Sequence, residues 1–554
     1  MISARRVSEL VGGKGEIALL DVREQGVHYR GHPFYACSAP LSRLELLIGD
    51  LVPRRSAPIV VLDGGHDGLA EKASEKLRAL GYSNVEILEG GCDAWKAAGL
   101  ELFSGVNVPS KAFGEFVEHH YGTPRIAPGE LRRLQQFKKV MVLDSRPFEE
   151  YHRMNIPGGI DVPGAELVYR VHDLVPNPDT LLVVNCAGRT RSIIGCQSLK
   201  NAGVPNPVVA LKDGTMGWEL AGFECERGAE RTAPVPSSEG RHRALAAAER
   251  VAKRFEVRFC NTEQVSSWKK DPARTLYLLD VRTREEYERG HVAGSRHAPG
   301  GQLVQASDEY VGVRNARVVL VDPELVRAIM TASWLNQMGW NDVTVLEDAE
   351  LGESGPRMPK VPGTPPWRSV SAIPDGASVL DLSTSLRFHK AHIPGAWWGV
   401  RSRLPEAKSA IGDVPSLVLT SEDGTLAHLA APEAAKLFSD VVVLEGGNAA
   451  WKGPTESGIE RATTTRDDVW YKPYDHEADY KKHARDYLEW EVALVEQIKR
   501  DPTIRFRAYS WSWWFTWWTG RMSFSATSTG CAASTKERTR PSVRCAACCT
   551  RCCR

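Results

Sequence analysis

The chain has 554 residues, which is too long for one ordinary domain and predicts roughly three to five. Its 70 lysines and arginines balance 69 aspartates and glutamates, so charge gives no reason to expect nucleic acid or a membrane surface as partner. The sequence begins without an apolar signal-peptide core and contains no run of about 18 apolar residues, the length that spans a membrane. We therefore expect a soluble, cytoplasmic protein.

One pattern recurs four times along the chain: an apolar strand that ends in aspartate, followed by a polar turn. Each copy continues with a second apolar strand, a helical pattern and a third strand. Such alternation of strands and helices is typical of parallel α/β units. The aspartates that end the first strands are Asp21, Asp144, Asp280 and Asp381.

The repeats and the segments between them predict the domain boundaries. The connecting segments differ, because one contains a short amphipathic stretch (102–125), one has the composition of an exposed connector (229–240) and one is rich in proline (357–366). The sequence thus predicts an α/β protein, a tandem repeat of four parallel-sheet domains. We place these domains at residues 1–104, 125–228, 241–356 and 367–460.

The second repeat carries the most informative segment, from Asn185 to Ser192. It lies between an apolar strand and a predicted helix, so Cys186 takes the first position of a strand-to-helix loop. Inward-pointing amides, the helix dipole and the charges of Arg189 and Arg191 all favour the thiolate, which is the nucleophilic form of cysteine. The same loop would bind a small anion. The plainer alternative is that Cys186 is a small buried apolar residue, as most free cysteines are.

The spacing within this segment resembles a known active-site loop. A cysteine, four variable residues, an arginine and a small residue run from Cys186 to Ser192, and this is similar to the loop of the rhodanese (sulfurtransferase) family. Related protein tyrosine phosphatases and dual-specificity phosphatases place one more residue between cysteine and arginine, in a wider loop that holds phosphate. The shorter loop therefore favours a sulfane-sulfur donor over a phosphoester. The resemblance covers roughly residues 1–460, as four rhodanese-like domains.

Only one of the four repeats has a nucleophile at the loop position. Alignment of the repeats places Asp63, Asp322 and Ser421 where the second repeat has Cys186. Their loops lack the paired arginines, and an acidic residue in an anion-binding loop repels an anionic donor. We therefore expect the first, third and fourth repeats to be inactive and to serve packing and partner binding.

After about residue 460 the repeat pattern ends. Residues 461–507 predict a helical extension, in which aromatic residues are spaced among charged ones. Residues 508–554 lack hydrophobic periodicity, aspartate and histidine, and we expect a disordered or aberrant tail, such as the out-of-frame end of a reading frame. The alternative is a metal site, because Cys545 and Cys548 have the spacing of zinc ligands.

The resemblance implies a two-step sulfur transfer that needs no cofactor and no metal. The Cys186 thiolate attacks the sulfane sulfur of a small anionic donor such as thiosulfate, and sulfite leaves. The resulting persulfide then passes its outer sulfur to cyanide or to a thiol. One alternative is a persulfide carrier or regulatory scaffold in sulfur metabolism, whose inactive repeats bind protein partners. A less favoured alternative is a phosphatase or an arsenate-reductase-like enzyme.

Roles follow for the residues around the loop. Arg191 is expected to orient the donor and stabilise the persulfide, whereas Arg189 is expected at the more exposed tip, where it steers anions. Asp144 is expected to be structural because all four repeats have it, and Trp218 to belong to the core. The expected substrate-binding residues are Ala187, Gly188, Arg189, Thr190, Arg191, Ser192 and Arg146.

Overall fold

The structure, a computed structural model, describes residues 1–137, 139–357, 361, 366–476 and 478–509. Within these ranges lie four five-stranded sheets, and the predicted α/β class with repeated domains and a C-terminal helical extension is confirmed. The described ranges contain no helix that is both long and apolar enough to cross a membrane. The expectations for the tail, including a metal site at Cys545 and Cys548, lie outside the described residues.

The first repeat has three parallel strands side by side, and a short fourth strand lies on the outer edge of the first one. The segment after this repeat, predicted as a short amphipathic stretch, is a four-turn helix, α6. Its Phe113 and Val117 are fully buried, because other helices cover it on more than one side. The elements are α1 (Ala4–Gly12), β1 (Ile17–Asp21), α2 (Gln25–His28), β2 (Cys37–Ser38), α3 (Leu44–Leu51), β3 (Ile59–Leu62), α4 (Leu69–Ala79), β4 (Val85–Ile87), α5 (Gly91–Ala97) and α6 (Val108–Tyr121).

The second repeat consists of β5 (Arg125–Ile126), α7 (Pro128–Leu134), β6 (Val140–Asp144), α8 (Phe148–Arg153), β7 (Ile160–Asp161), α9 (Glu166–Leu174), β8 (Leu181–Asn185), α10 (Thr190–Asn201), β9 (Val208–Leu211) and α11 (Gly214–Leu220), followed by α12 (Ser238–Arg254). Its strands are all parallel, in the order β5-β9-β8-β6-β7. Asp144 pairs with Asn185 where β6 and β8 end. The loops after these ends share the edge at which open α/β sheets bind ligands.

The third repeat consists of β10 (Arg258–Cys260), α13 (Thr262–Lys269), β11 (Leu276–Asp280), α14 (Arg284–Arg289), β12 (Arg296–His297), α15 (Gly300–Gln305), α16 (Ser307–Tyr310), β13 (Val313–Arg314), β14 (Arg317–Val321), α17 (Val326–Gln337) and β15 (Val343–Leu346). Its parallel sheet has the order β10-β15-β14-β11-β12. The remaining strand, β13, joins the sheet of the first repeat, where it pairs antiparallel with β1. The first and third repeats therefore share a sheet.

The fourth repeat has the same strand order, β16-β20-β19-β17-β18. A long helix that follows it lies against α6. The apolar core of the fourth repeat is separate, whereas one continuous cluster of buried apolar side chains runs through the first three repeats. The elements are β16 (Ser369–Val370), β17 (Ser378–Asp381), α18 (Ser385–Lys390), β18 (Trp397–Trp398), α19 (Leu404–Ile411), β19 (Leu417–Thr420), α20 (Thr425–Ala434), β20 (Val441–Leu444), α21 (Gly447–Ala450) and α22 (Tyr480–Gln497).

We predict that Tyr277→Phe destabilises the protein by about 1–3 kcal/mol, the cost of leaving buried polar groups unpaired. The Tyr277 hydroxyl donates to the carbonyl of Leu51 in the first repeat at 2.5 Å and accepts from the amide of Val313 at 3.0 Å. Calorimetric unfolding measures the loss. The control is Tyr29→Phe, because the exposed Tyr29 should change stability by less than about 0.5 kcal/mol. Equal effects of the two variants would contradict a structural role of Tyr277 between the repeats.

Candidate active site

The loop between β8 and α10 holds Cys186 under the N-terminus of α10. Its carbonyl groups are engaged from outside, because the amides of Thr215 and Met216 donate to the carbonyls of Cys186 and Ala187 at 2.9 and 3.0 Å. In the described part of the chain, by contrast, no acceptor pairs with the amides of residues 187–189. Together with the helix N-terminus, these amides are available to an anion at Cys186.

Close packing at Gly214 makes this arrangement possible. Gly214 has a φ of 56°, in the left-handed region, and a Cβ there would lie 2.3 Å from the carbonyl oxygen of Cys186. Any larger residue would push α11 away from the loop and release the loop carbonyls.

Cys186 is buried, with 2% of the residue exposed. Its Sγ lies 3.5 Å from Oγ of Ser192, which in turn donates to the carbonyl of Arg189 at 2.8 Å. The Thr190 hydroxyl donates to the fully buried carboxylate of Glu491 on α22. The loop is therefore fastened both within itself and to the C-terminal extension.

The expectation that Arg189 lies at an exposed tip is wrong. Its side chain is 5% exposed and forms a bidentate pair with Glu115 of α6, at 2.6 and 2.8 Å. It also donates to Glu118 at 2.5 Å and to Asp213 at 3.1 Å. The reason is that α6 packs directly against α10, and it supplies carboxylates that the pattern within the loop does not reveal. Arg189 therefore anchors the loop to the helix between the repeats.

Arg191 faces the cavity above the cysteine, but its charge has a partner. It forms a bidentate pair with Glu150 of α8, at 2.9 and 2.8 Å. Burial on its own raises the pKa of the Glu150 carboxyl, yet the attraction of Arg191 outweighs it and lowers that pKa to about 2. Arg191 is thus held in one orientation beside Cys186, where it can bind an anionic donor.

Arg146 is not brought to the cavity, although it was expected to bind substrate. It is 2% exposed, forms a bidentate pair with Asp144 at 2.8 and 2.7 Å, and donates to the carbonyl of Met154 at 2.6 Å. Asp144 also accepts from Asn185 at 2.8 Å. Trp218 lies in the core, and its indole NH donates to the carbonyl of Glu224. These residues brace the strand ends beneath the loop.

The cavity above Cys186 has a volume of about 220 Å³ and is lined by more than the second repeat. Every loop residue from Cys186 to Arg191 lines it. Its other walls come from the first repeat, from α6, from α15 and α16 of the third repeat, and from the C-terminal extension. The lining residues that the sequence analysis missed include Gln25, Lys111, Glu150, Gln305, Glu309, Trp470, Lys472, Tyr474 and Tyr487. Most are far from the loop in sequence, so no local motif could have found them.

Lys111 is the most unusual of these residues. It is only 8% exposed and its ammonium has no hydrogen bond to any described residue. The nearest carboxylate oxygen, on Glu491, lies 3.9 Å away. Burial lowers the pKa of Lys111, and Glu491 only partly offsets this. A buried ammonium of this kind favours an anion in the cavity.

In the first and third repeats, a carboxylate fills the anion-binding loop. Asp63 accepts from the amides of Gly65 and Ala70 at 2.9 and 3.0 Å. Asp322 accepts from its own loop amides at 3.2 and 2.8 Å. The aspartates thus do more than repel a donor, as the sequence suggested, because each one occupies the place that an anion would take. In the fourth repeat, Oγ of Ser421 accepts from one amide, at 3.3 Å.

The residues that the structure describes contain no group of three or more histidine, cysteine, aspartate and glutamate side chains that could hold a metal ion.

Comparisons with known proteins agree with this geometry. The family model for the rhodanese-like domain matches residues 3–98, 127–221 and 261–349. The crystal structure of a thiosulfate sulfurtransferase from Pseudomonas aeruginosa is similar over 92% of this chain and 99% of that chain, with 45% sequence identity and a TM-score of 0.88. Among curated proteins, the HTH-type transcriptional regulator Rv0324 of Mycobacterium tuberculosis is 34% identical over 110 residues, which are 20% of this chain. That match spans about half (48%) of the length of the curated relative.

We predict that Arg189→Met lowers the free energy of unfolding by about 3–5 kcal/mol, because it leaves the buried carboxylate of Glu115 without its charge partner. Urea unfolding measures this. The matched control is Arg125→Met, since the exposed Arg125 contacts Glu118 only at 3.4 Å and its loss should cost less than about 1 kcal/mol. Similar losses in both variants would contradict the anchoring role of Arg189.

We also predict that the stability difference between the wild type and Glu150→Gln depends on pH. The pKa of Glu150 is lowered from 4.5 to about 2 in the folded protein, so the carboxylate stabilises the fold fully above pH 4.5 and loses this effect as the pH falls towards 2. Urea midpoints of both proteins should therefore converge as the pH is lowered from about 6 to about 3. A difference in urea midpoint that does not change with pH would show that the charge of Glu150 does not stabilise the fold.

Proposed function

Because the chain belongs to the rhodanese-like family and is a rhodanese-type transferase, we propose that it moves a sulfane sulfur from thiosulfate, or a related anionic donor, to cyanide or a thiol through a persulfide on Cys186. The observation that carries this proposal is the loop itself. Cys186 lies beneath a helix N-terminus, and the amides of residues 187–189 pair with no acceptor among the described residues. This arrangement stabilises a thiolate and, after transfer, a persulfide anion.

The first half of the reaction loads the enzyme. The Cys186 thiolate attacks the outer sulfur of thiosulfate, a new S–S bond forms, and the donor's own S–S bond breaks as sulfite leaves with the electron pair. Arg191, held by Glu150, binds the donor's oxygens. Lys111 and Lys472, which also line the cavity, add positive charge from outside the repeat. The cavity of about 220 Å³ suits a donor of this small size.

The second half of the reaction removes the sulfur from the enzyme. The acceptor attacks the outer persulfide sulfur, the bond from that sulfur to Sγ breaks, and the Cys186 thiolate returns. Cyanide becomes thiocyanate in this step, and a thiol becomes its persulfide. Donor and acceptor therefore react in turn at one sulfur atom, and ping-pong kinetics are expected.

Two observations support a sulfane-sulfur donor such as thiosulfate. The relative of known structure from Pseudomonas aeruginosa is a thiosulfate sulfurtransferase and is matched over nearly its whole length. The loop also has the short spacing from Cys186 to Arg191 that favours a sulfane donor over a phosphoester.

We predict that Cys186→Ser abolishes sulfur transfer from thiosulfate to cyanide while the fold survives, because serine keeps the shape but lacks a thiolate. Thiocyanate production measures the activity, and mass spectrometry of the wild type after thiosulfate treatment should find one added sulfur, about 32 Da, on Cys186. The control is Cys196→Ser, which removes a buried thiol of α10 outside the cavity and should retain activity. Activity of Cys186→Ser within tenfold of wild type would contradict the proposal.

A further inference from the structure

A second and larger cavity, the outer chamber, adjoins the one above Cys186. Its volume is about 590 Å³, and its walls come from the first, third and fourth repeats and from the segments that follow each of them. It shares Gln25, Val106, Asn107 and Glu309 with the Cys186 cavity, so the two cavities adjoin at these residues, which we call the neck. Among the described residues, none of the second repeat lines the outer chamber.

The neck carries negative charge. The Asn107 side chain donates to Asp308 at 3.2 Å and to Glu309 at 2.9 Å, which fixes both carboxylates at this point. Burial, and then the charge of Glu309, raise the pKa of Asp308 to about 6. The carboxylates at the neck repel an anionic donor and attract an ammonium group.

The wall beyond the neck carries charges of both signs, because its lining includes Arg43, Arg284, Arg296 and Arg357 as well as Asp50, Glu288 and Asp468. Arg296 donates to the carbonyl of Asp50 at 3.1 Å and to that of Tyr310, and its Nη1 lies 3.8 Å from the Asp50 carboxylate. Its Nε is buried without a hydrogen-bond partner in the described residues. Arg284 is exposed, and its nearest carboxylate, on Glu288, is 3.8 Å away. Both arginines line the chamber. The chamber thus offers partners to a molecule that carries charges of both signs.

We propose that the outer chamber binds the sulfur acceptor, and that this acceptor is a low-molecular-weight thiol of the amino-acid or peptide type, with ammonium and carboxylate groups. The inference rests on the proposed function. It is supported by size, because small-molecule sites occupy about 300–1,000 Å³ and the cavity above Cys186 is smaller than that. It is supported by charge, because the neck suits an ammonium group and Arg284 and Arg296 suit carboxylates.

The transfer step balances without another reactant. The acceptor thiol gives its proton to solvent, and its thiolate attacks the outer sulfur of the Cys186 persulfide. The S–S bond at Sγ breaks, Cys186 leaves as a thiolate, and the acceptor leaves as a persulfide. No oxidant or reductant is consumed, because the sulfane sulfur keeps its oxidation state.

The test compares two acceptors, glutathione and cyanide, in the full chain with thiosulfate as donor. Cyanide is too small to need the chamber, so it reports sulfur transfer alone. We expect Arg284→Gln and Arg296→Gln to raise the KM for glutathione at least fivefold and to leave turnover with cyanide within twofold of wild type. The matched control is Arg289→Gln, because Arg289 is an exposed arginine on the same helix, α14, that does not line the chamber. This variant should change neither the KM for glutathione nor the turnover with cyanide.

A binding measurement keeps the two proposals separate. S-methylglutathione, which cannot accept sulfur, should bind the Cys186→Ser chain in calorimetry, and Arg284→Gln added to that chain should weaken binding at least fivefold. The chamber is not the acceptor site if Arg284→Gln leaves the binding of S-methylglutathione unchanged, or if Arg289→Gln weakens it equally. A wild type that uses cyanide but not glutathione would also overturn the proposal. A wild type inactive with both acceptors would instead overturn the proposed function, and calorimetry would still decide the role of the chamber. Because Arg284 is exposed, its variant also stands in if Arg296→Gln fails to fold.

Discussion

A loop binds an anion with its amides only if those amides stay unpaired while its carbonyls and side chains are held elsewhere. Here α11 engages the carbonyls, α6 holds Arg189 and α22 holds Thr190. Two of these three helices lie outside the predicted bounds of the repeat that carries Cys186. The chemistry of one domain therefore depends on the packing of the rest of the chain.

The first and third repeats keep the loop, but a carboxylate of the chain itself occupies it. A carboxylate on Asp63 or Asp322 is a permanent anion, so these loops are satisfied without a ligand. In the third repeat, Arg327 stands where the second repeat has Arg191, and it pairs with Glu286 as Arg191 pairs with Glu150. Arg327 also reaches Glu166 of the second repeat, at 3.2 Å. The arginine at this loop position thus forms an ion pair between repeats.

Sequence patterns predicted what is local and missed what is long-range. The fold class followed from strand and helix periods, and Cys186 and Arg191 followed from spacing within a single loop. The burial of Arg189 could not be predicted, because its partners Glu115 and Glu118 lie 74 and 71 positions earlier, on a helix in a segment that the sequence analysis placed between domains. Lys111 and Tyr487 were missed for the same reason, since only tertiary packing brings them to the cavity.

The strand β13 also constrains how the protein is made. It completes the edge of the first sheet by pairing with Ile17 and Ala18, yet it belongs to the third repeat. During synthesis, the first repeat leaves the ribosome long before its partner strand exists, and the edge of β1 meanwhile exposes unpaired backbone groups. The second repeat, whose strands are contiguous in sequence, can complete its sheet earlier. All strands of the second repeat's sheet are therefore present in the growing chain before the last strand of the first repeat's sheet, although α22, which holds the Cys186 loop, is synthesised later than both.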